Sequence, residues 1–168
     1  MINNLIKYLF MWIVLILLQI VLFNHIQFSG FVNPYMYILF VLLLPFDTPK
    51  YLLLFLGFLL GLNVDIFCNT PGMHASATTL MAFLRPTVIN LISSRDTLES
   101  NSPPRLNQMG PAWFIKYTII LVLVHHLFLF YVEVFTLKGF IFTLFRSVIS
   151  ALFTIILIIL SQFLIYKE

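Results

Sequence analysis

The chain has 168 residues, of which 61% are hydrophobic and only 9% charged, and its mean hydropathy is +1.05. Soluble domains carry about 25% charged residues, so this chain cannot cover a surface in water and reads as a polytopic membrane protein. Its net charge of +3 comes from nine scattered basic residues, which make no nucleic-acid stripe, and the single cysteine, Cys68, excludes an internal disulfide and a CxxC metal or redox site.

Six apolar runs are expected to be helices, at about 5–23, 34–46, 51–67, 73–92, 113–135 and 140–166 of one membrane domain spanning 1–168. Lys7 ahead of the stretch Tyr8–Phe23 resembles a signal sequence. The run is too long for an apolar core of about 7–15 residues, and no A-x-A-like site follows it, so a retained transmembrane helix is expected. In the second run Asn33-Pro34 supplies an N-cap and an N1 proline, and Pro45 closes it. A dozen residues reach under ~20 Å, which suits a short crossing helix or a re-entrant hairpin. The positive-inside rule separates these. Six crossings with a cytoplasmic N-terminus place Lys7, Lys50, Arg95, Arg105, Lys116 and Lys167 inside and only Lys138 outside. A hairpin would move Lys50 and the Arg95–Arg105 stretch outside. Six crossings with both termini cytoplasmic are therefore expected, the short second helix being shielded by neighbours or met by a thinned bilayer.

The third run leads into GFLLGLNVDIFCNTPGMHA, 57–75. Gly57, Gly61 and Asp65 recur every four residues and share a helix face. The two glycines form a GxxxG motif that admits a neighbouring helix. Asp65 lies about one turn from the outer end, where it either reaches water or accepts hydrogen bonds from the turn through Gly72 and from the start of the fourth helix. His74 and Arg146 are further donors, and Glu133 would complete an outer polar cluster. On the fourth helix Ala75, Thr78 and Ala82 form a small-residue stripe that ends at Arg85. Arg85 snorkels, caps carbonyls freed at the Pro86 kink, or pairs across helices. The Ser-, Asn- and Pro-rich stretch 93–111 is a cytoplasmic loop, and Trp113 and Tyr117 follow it where an interfacial aromatic belt belongs.

His125 and His126 on the fifth helix point ~100° apart and cannot act as an i, i+4 metal pair, while His126 and Glu133 share a face. Thr143, Ser147, Ser150, Ala151 and Thr154 make a small-polar packing seam on the sixth helix, with Arg146 beside it. No GxSxG, no HExxH and no carboxylate pair at helical spacing occurs, and Ser76 in HASAT lacks flanking glycines. The expectation is a protein that is not an enzyme, with no catalytic, cofactor-binding or metal-binding residues.

The stretch GLNVDIFCNTPGMHASATTLMAFLRP, with Arg85-Pro86, the histidines before a Glu-containing helix end, and an Arg in the last helix, resembles the rod shape-determining MreD family over nearly the whole chain. The matching positions are Gly61, Asp65, Gly72, His74 and Ala75. The resemblance implies an all-α bundle similar to the six-helix substrate-binding subunits of energy-coupling-factor transporters. It implies a non-enzymatic scaffold of the cell-elongation (rod) complex in the bacterial inner membrane, helping to organise side-wall peptidoglycan synthesis. Its implied partners are an MreC-like bitopic membrane protein and, indirectly, the actin-like MreB and wall-synthesis enzymes. The likeness to transporter subunits implies an alternative, a vitamin-binding membrane subunit, which would need convergent polar and aromatic groups around an outer cavity.

Overall fold

A computed structural model describes residues 2–24, 32–93, 103–136 and 138–165. Among these residues the regular elements are helical, without a β-strand. They are α1 (Ile2–Leu18), continued by a π-helical turn (Gln19–Phe23), a 3₁₀ turn (Met36–Ile38) that leads into α2 (Leu39–Leu42), α3 (Lys50–Cys68), α4 (Met73–Ile92), α5 (Leu106–Met109), α6 (Pro111–Val134) and α7 (Phe140–Ile165). Five helical stretches, Leu5–Phe23, α3, α4, α6 and α7, are long and apolar enough to cross a membrane. They carry exposed large side chains such as Phe10, Phe55, Phe83, Ile141 and Leu164. In lipid such faces need no further cover. The chain is thus an all-α, multi-pass membrane protein.

Antiparallel neighbours pack in the order α3, α4, α6, α7, with α4 held between α3 and α6. The GxxxG face sets the closest approach. A Cβ on Gly61 would lie 2.4 Å from the carbonyl oxygen of His74, and one on Gly57 would lie 2.9 Å from the Cβ of Ala82. Backbone on one side and a stiff methyl on the other leave no room to yield, so the two glycines are what let α3 and α4 touch.

The second element departs from expectation. Only Met36 to Leu42 are helical, not 34–46, because Tyr35 enters with extended dihedrals (φ −117°, ψ 80°) and Leu43 leaves the helical region. The segment has no lipid face, since every residue from Tyr35 to Leu44 is buried by the surrounding helices. Irregular backbone at membrane depth is tolerated only where protein encloses it and satisfies its polar groups. Here side chains do so. Gln19 Oε1 accepts from the backbone N–H of Met36 at 2.8 Å and of Tyr37 at 3.4 Å, and Gln19 Nε2 donates to Pro34 O at 3.0 Å. Ser150 and Thr154 of α7 accept from the N–H groups of Asn33 and Tyr35, both at 3.1 Å. At the far end Tyr117 donates to Leu42 O at 3.0 Å, and Arg85 donates to the carbonyls of Leu44 and Pro45.

The seam on α7 is therefore more than a packing surface: two of its hydroxyls are backbone acceptors. Tyr117 is fully buried and is not part of an interfacial belt, whereas Trp113 is partly buried and donates to Ser93 at 3.0 Å. Pro86 does not end α4, which continues to Ile92. Within the expected loop 93–111, residues 94–102 lie outside the described residues, and 106–109 form α5.

Gln19→Leu tests this arrangement. It strands the N–H groups of Met36 and Tyr37 and the C=O of Pro34 at about 1–3 kcal/mol each, so thermal unfolding in detergent should show a loss of about 3–9 kcal/mol. A change under about 0.5 kcal/mol, the scale of an ordinary surface substitution, would show that the segment does not depend on this amide.

Candidate functional site: a polar cavity at the Asp65 end of the bundle

Two polar assemblies occupy opposite ends of the bundle. At one end Asp65, on the last turn of α3, is buried against the start of α4 and is 3% exposed. Its Oδ1 accepts from Thr70 Oγ1 at 2.9 Å, from the His74 backbone N–H at 2.9 Å and from His74 Nδ1 at 3.0 Å, while Oδ2 accepts from the Ala75 N–H at 2.9 Å. The first N–H groups of a helix have no partner within it, and the positive end of its dipole favours a carboxylate. Asp65 meets both needs from another helix. The turn that makes this reach possible has Asn69 at φ 54° and Gly72 at φ 83°, left-handed conformations that suit Asn and Gly. Asp65 thus anchors the turn and the first residues of α4, the second of the two arrangements expected from the sequence.

At the opposite end Arg85 is 1% exposed. It neither snorkels nor caps its own helix. Its Nε donates to Tyr117 Oη at 2.8 Å, and its other nitrogens donate to the carbonyls that close the segment before Pro45. Among the described residues no carboxylate pairs with it, and the cation serves backbone carbonyls of a different segment.

Glu133 and Arg146 form an ion pair, Nη1 to Oε1 at 3.3 Å, with side chains 38% and 20% exposed. Arg146 also lies 4.6 Å over the ring of Phe130. The Asn33 amide, oriented to donate to Val32 O at 3.2 Å, accepts from Arg146 Nη2 at 3.0 Å. Arg146 therefore answers Glu133 and Asn33 rather than Asp65, so the expected single cluster is two, one on each side of a cavity of about 410 Å³. His74, Glu133, Arg146, Tyr35 and Asn33 are on its wall, together with Gln19 and Asn24 from the end of α1. Asn24 bridges to α3 by donating to Cys68 Sγ at 3.1 Å.

Below the cavity an aromatic layer fills the centre. The ring of Tyr35 lies 5.3 Å from His74, 5.3 Å from His126 and 6.0 Å from His125, centroid to centroid. His126 Nδ1 donates to Val122 O at 2.9 Å, since a carbonyl only accepts, and Nε2 is 3.0 Å from Thr154 Oγ1. Tyr37 Oη lies 2.8 Å from His125 Nε2 and 3.3 Å from Thr78 Oγ1. Three histidines thus gather round two tyrosines. Among the described residues no three His, Cys, Asp or Glu side chains are placed to hold a metal ion. Ser76 donates to Met73 O at 2.9 Å.

Of the residues singled out in the sequence, the structure brings Gly57, Gly61, Asp65, Gly72 and His74 into one α3–α4 unit. It places Glu133 and Arg146 across the cavity, His126 beneath it, and Arg85 at the far end. Sequence reasoning missed Gln19, Tyr35, Tyr37 and Tyr117. The available signal was that Gln19 is the sole amide in the run 5–23, a position where an amide is costly unless bonded. The fold and site define a multi-pass helical membrane protein with a polar cavity at one end of the bundle. Comparison with protein-family models, curated proteins and solved structures finds no match to this chain.

Asp65→Asn keeps an oxygen for the three donors at Oδ1 but turns an amide N–H toward the Ala75 N–H. It should cost about 1–3 kcal/mol. Asp65→Leu strands all four donors and should cost distinctly more, read as thermal stability and as abundance in the membrane. Equal losses for the two variants, with abundance retained, would mean that the charge itself is required.

Proposed function

We propose that the chain is a non-enzymatic scaffold of the rod-elongation kind in the bacterial inner membrane, working beside an MreC-like bitopic partner. The observation that carries this reading is the use made of the residues that resemble the MreD family. Both Asp65 oxygens are occupied by α4 and the turn before it, and Gly61 lies against the His74 backbone. These positions build a surface rather than a reaction centre. Among the described residues the Ser76 hydroxyl donates to Met73 O and Cys68 Sγ accepts from Asn24.

The topology in this reading is six crossings with both ends in the cytoplasm. Supporting it, the backbone from Asn33 to Pro45 runs from the Asp65 end to the Arg85 end, adding a shielded sixth passage to the five long helices. Lys7, Lys50 and Lys116 lie toward the Arg85 end and Lys138 toward the other, as a cytoplasmic Arg85 end requires. Arg95 and Lys167, which also enter the charge count, lie outside the described residues. A second reading, a substrate-binding subunit of a vitamin transporter, is favoured by one observation: the cavity is of ligand size and has polar and aromatic groups on its wall.

Cysteines placed at Asn101 and Lys138 should label from the cytoplasm and the periplasm respectively, and labelling of Asn101 from outside would refute six crossings. Depletion in the source cell should turn rods into spheres, with an MreC-like protein co-purifying in stoichiometric amount. Unaltered shape on depletion, or a vitamin as the sole stoichiometric companion, would replace the scaffold with the carrier.

A further inference from the structure

A second cavity, a groove of about 430 Å³, lies at the Arg85 end of the bundle between α1 and α3. Leu5, Tyr8, Leu9 and Trp12 recur at helical spacing along one face of α1, and Leu52 and Leu56 of α3 stand on the wall with them. The buried side chains of Phe40 and Leu44, from the central segment, form its inner side, where Trp12 meets Phe40 edge to face at 4.9 Å. From Leu5 to Trp12 a helix rises ~10 Å, so the groove runs along the helices through about a third of a ~30 Å hydrocarbon core. It is open to whatever surrounds the bundle: Leu5, Leu9 and Leu52 are 66%, 62% and 46% exposed.

One end of the groove is polar, the turn from Pro45 to Pro49 that leads into α3. Thr48 is spent inside this turn, since its N–H and its hydroxyl both donate to Pro45 O, at 3.3 and 2.8 Å. Among the described residues the wall carries one charged side chain, Asp47, which is exposed at the rim. Lys50, three residues on, is exposed at the start of α3. The two are not paired with one another, and neither forms an ion pair among the described residues. A free carboxylate and a free ammonium thus stand together at the head of an apolar slot.

We propose that this groove holds a phospholipid of the surrounding bilayer, one acyl chain lying between α1 and α3 and a phosphoethanolamine headgroup at the rim, its ammonium on Asp47 and its phosphate on Lys50. Size decides against a partner helix. At ~10 Å across and 1.5 Å rise a helix takes up ~120 Å³ per residue, so the groove would hold about one turn of it. A linear hydrocarbon chain is thin enough to follow the slot from the surface inward. Charge decides the headgroup. A phosphate alone would meet Lys50 but be repelled by Asp47, whereas phosphoethanolamine answers both. The inference is independent of whether the chain acts as scaffold or carrier, because it concerns the purified chain by itself.

The test is native mass spectrometry of the full chain in mild detergent, titrated with dioleoyl phosphatidylethanolamine or dioleoyl phosphatidylglycerol. The two lipids share acyl chains and phosphate and differ in the ammonium. The first phosphatidylethanolamine should bind at least about tenfold more tightly than the first phosphatidylglycerol. Leu9→Trp adds bulk at an exposed position on the groove wall and should weaken that first binding by about tenfold or more, whereas Phe145→Trp, on the exposed face of α7, should not. Asp47→Asn should abolish the preference between the two headgroups. It decides alone if Leu9→Trp lowers the melting temperature measured without added lipid. Equal affinity for the two lipids, unchanged affinity in a stable Leu9→Trp chain, or a preference that survives Asp47→Asn overturns the proposal. So does a dimer that Leu9→Trp dissolves, which would put a second copy of the chain in the groove.

Discussion

The structure depends on satisfying one stretch of backbone. From Asn33 to Pro45 the chain passes through the middle of the bundle with too little helix to pair its own N–H and C=O groups, and in a membrane water does not make up the difference. Gln19 at the end of α1, Ser150 and Thr154 on α7, Tyr117 on α6 and Arg85 on α4 supply the missing partners. Lipid tails provide no hydrophobic drive to press apolar helices together. A shared polar debt of this kind joins four helices to one central segment, with a geometry that apolar contact alone would not specify.

The same logic governs the two buried charges. Asp65 meets the unpaired N–H groups that begin α4, and Arg85 meets the carbonyls that end the central segment. Among the described residues each ion is placed against backbone groups whose dipoles present the opposite sign. This lowers the cost of an intramembrane charge, and it also locks an element to its neighbour. The Glu133–Arg146 pair differs: it is partly exposed and sits at the mouth of the cavity, where its charges are accessible to a ligand.

Between these ends the aromatic layer divides the molecule. Tyr35 and Tyr37, buried among His74, His125 and His126, belong to the same segment whose backbone the helices hold. The segment thus forms the floor of the cavity and the axis of the bundle at once. A change in how its backbone is held would be felt on the cavity wall, through Tyr35 and through the Pro34 carbonyl held by Gln19.

What the sequence by itself determined was whatever depends on composition and local spacing. The apolar runs specified the five long helices to within a few residues. Four-residue spacing put Gly57, Gly61 and Asp65 on one face, and the Asn-Thr-Pro-Gly turn placed His74 within reach of Asp65. What only tertiary structure decided was which polar group answers which. Arg85 faces carbonyls some 40 residues earlier in the chain, Tyr117 lies in the core instead of at an interface, and Gln19 holds a segment 15–18 positions away. The second run shrank to seven helical residues because neighbouring side chains could meet its backbone as well as helix would. Periodicity records a segment's own pattern, and it is silent about partners that other helices bring. The cavity was invisible for the same reason: its walls come from α1, the central segment, α3, α4, α6 and α7, and no stretch of sequence contains it.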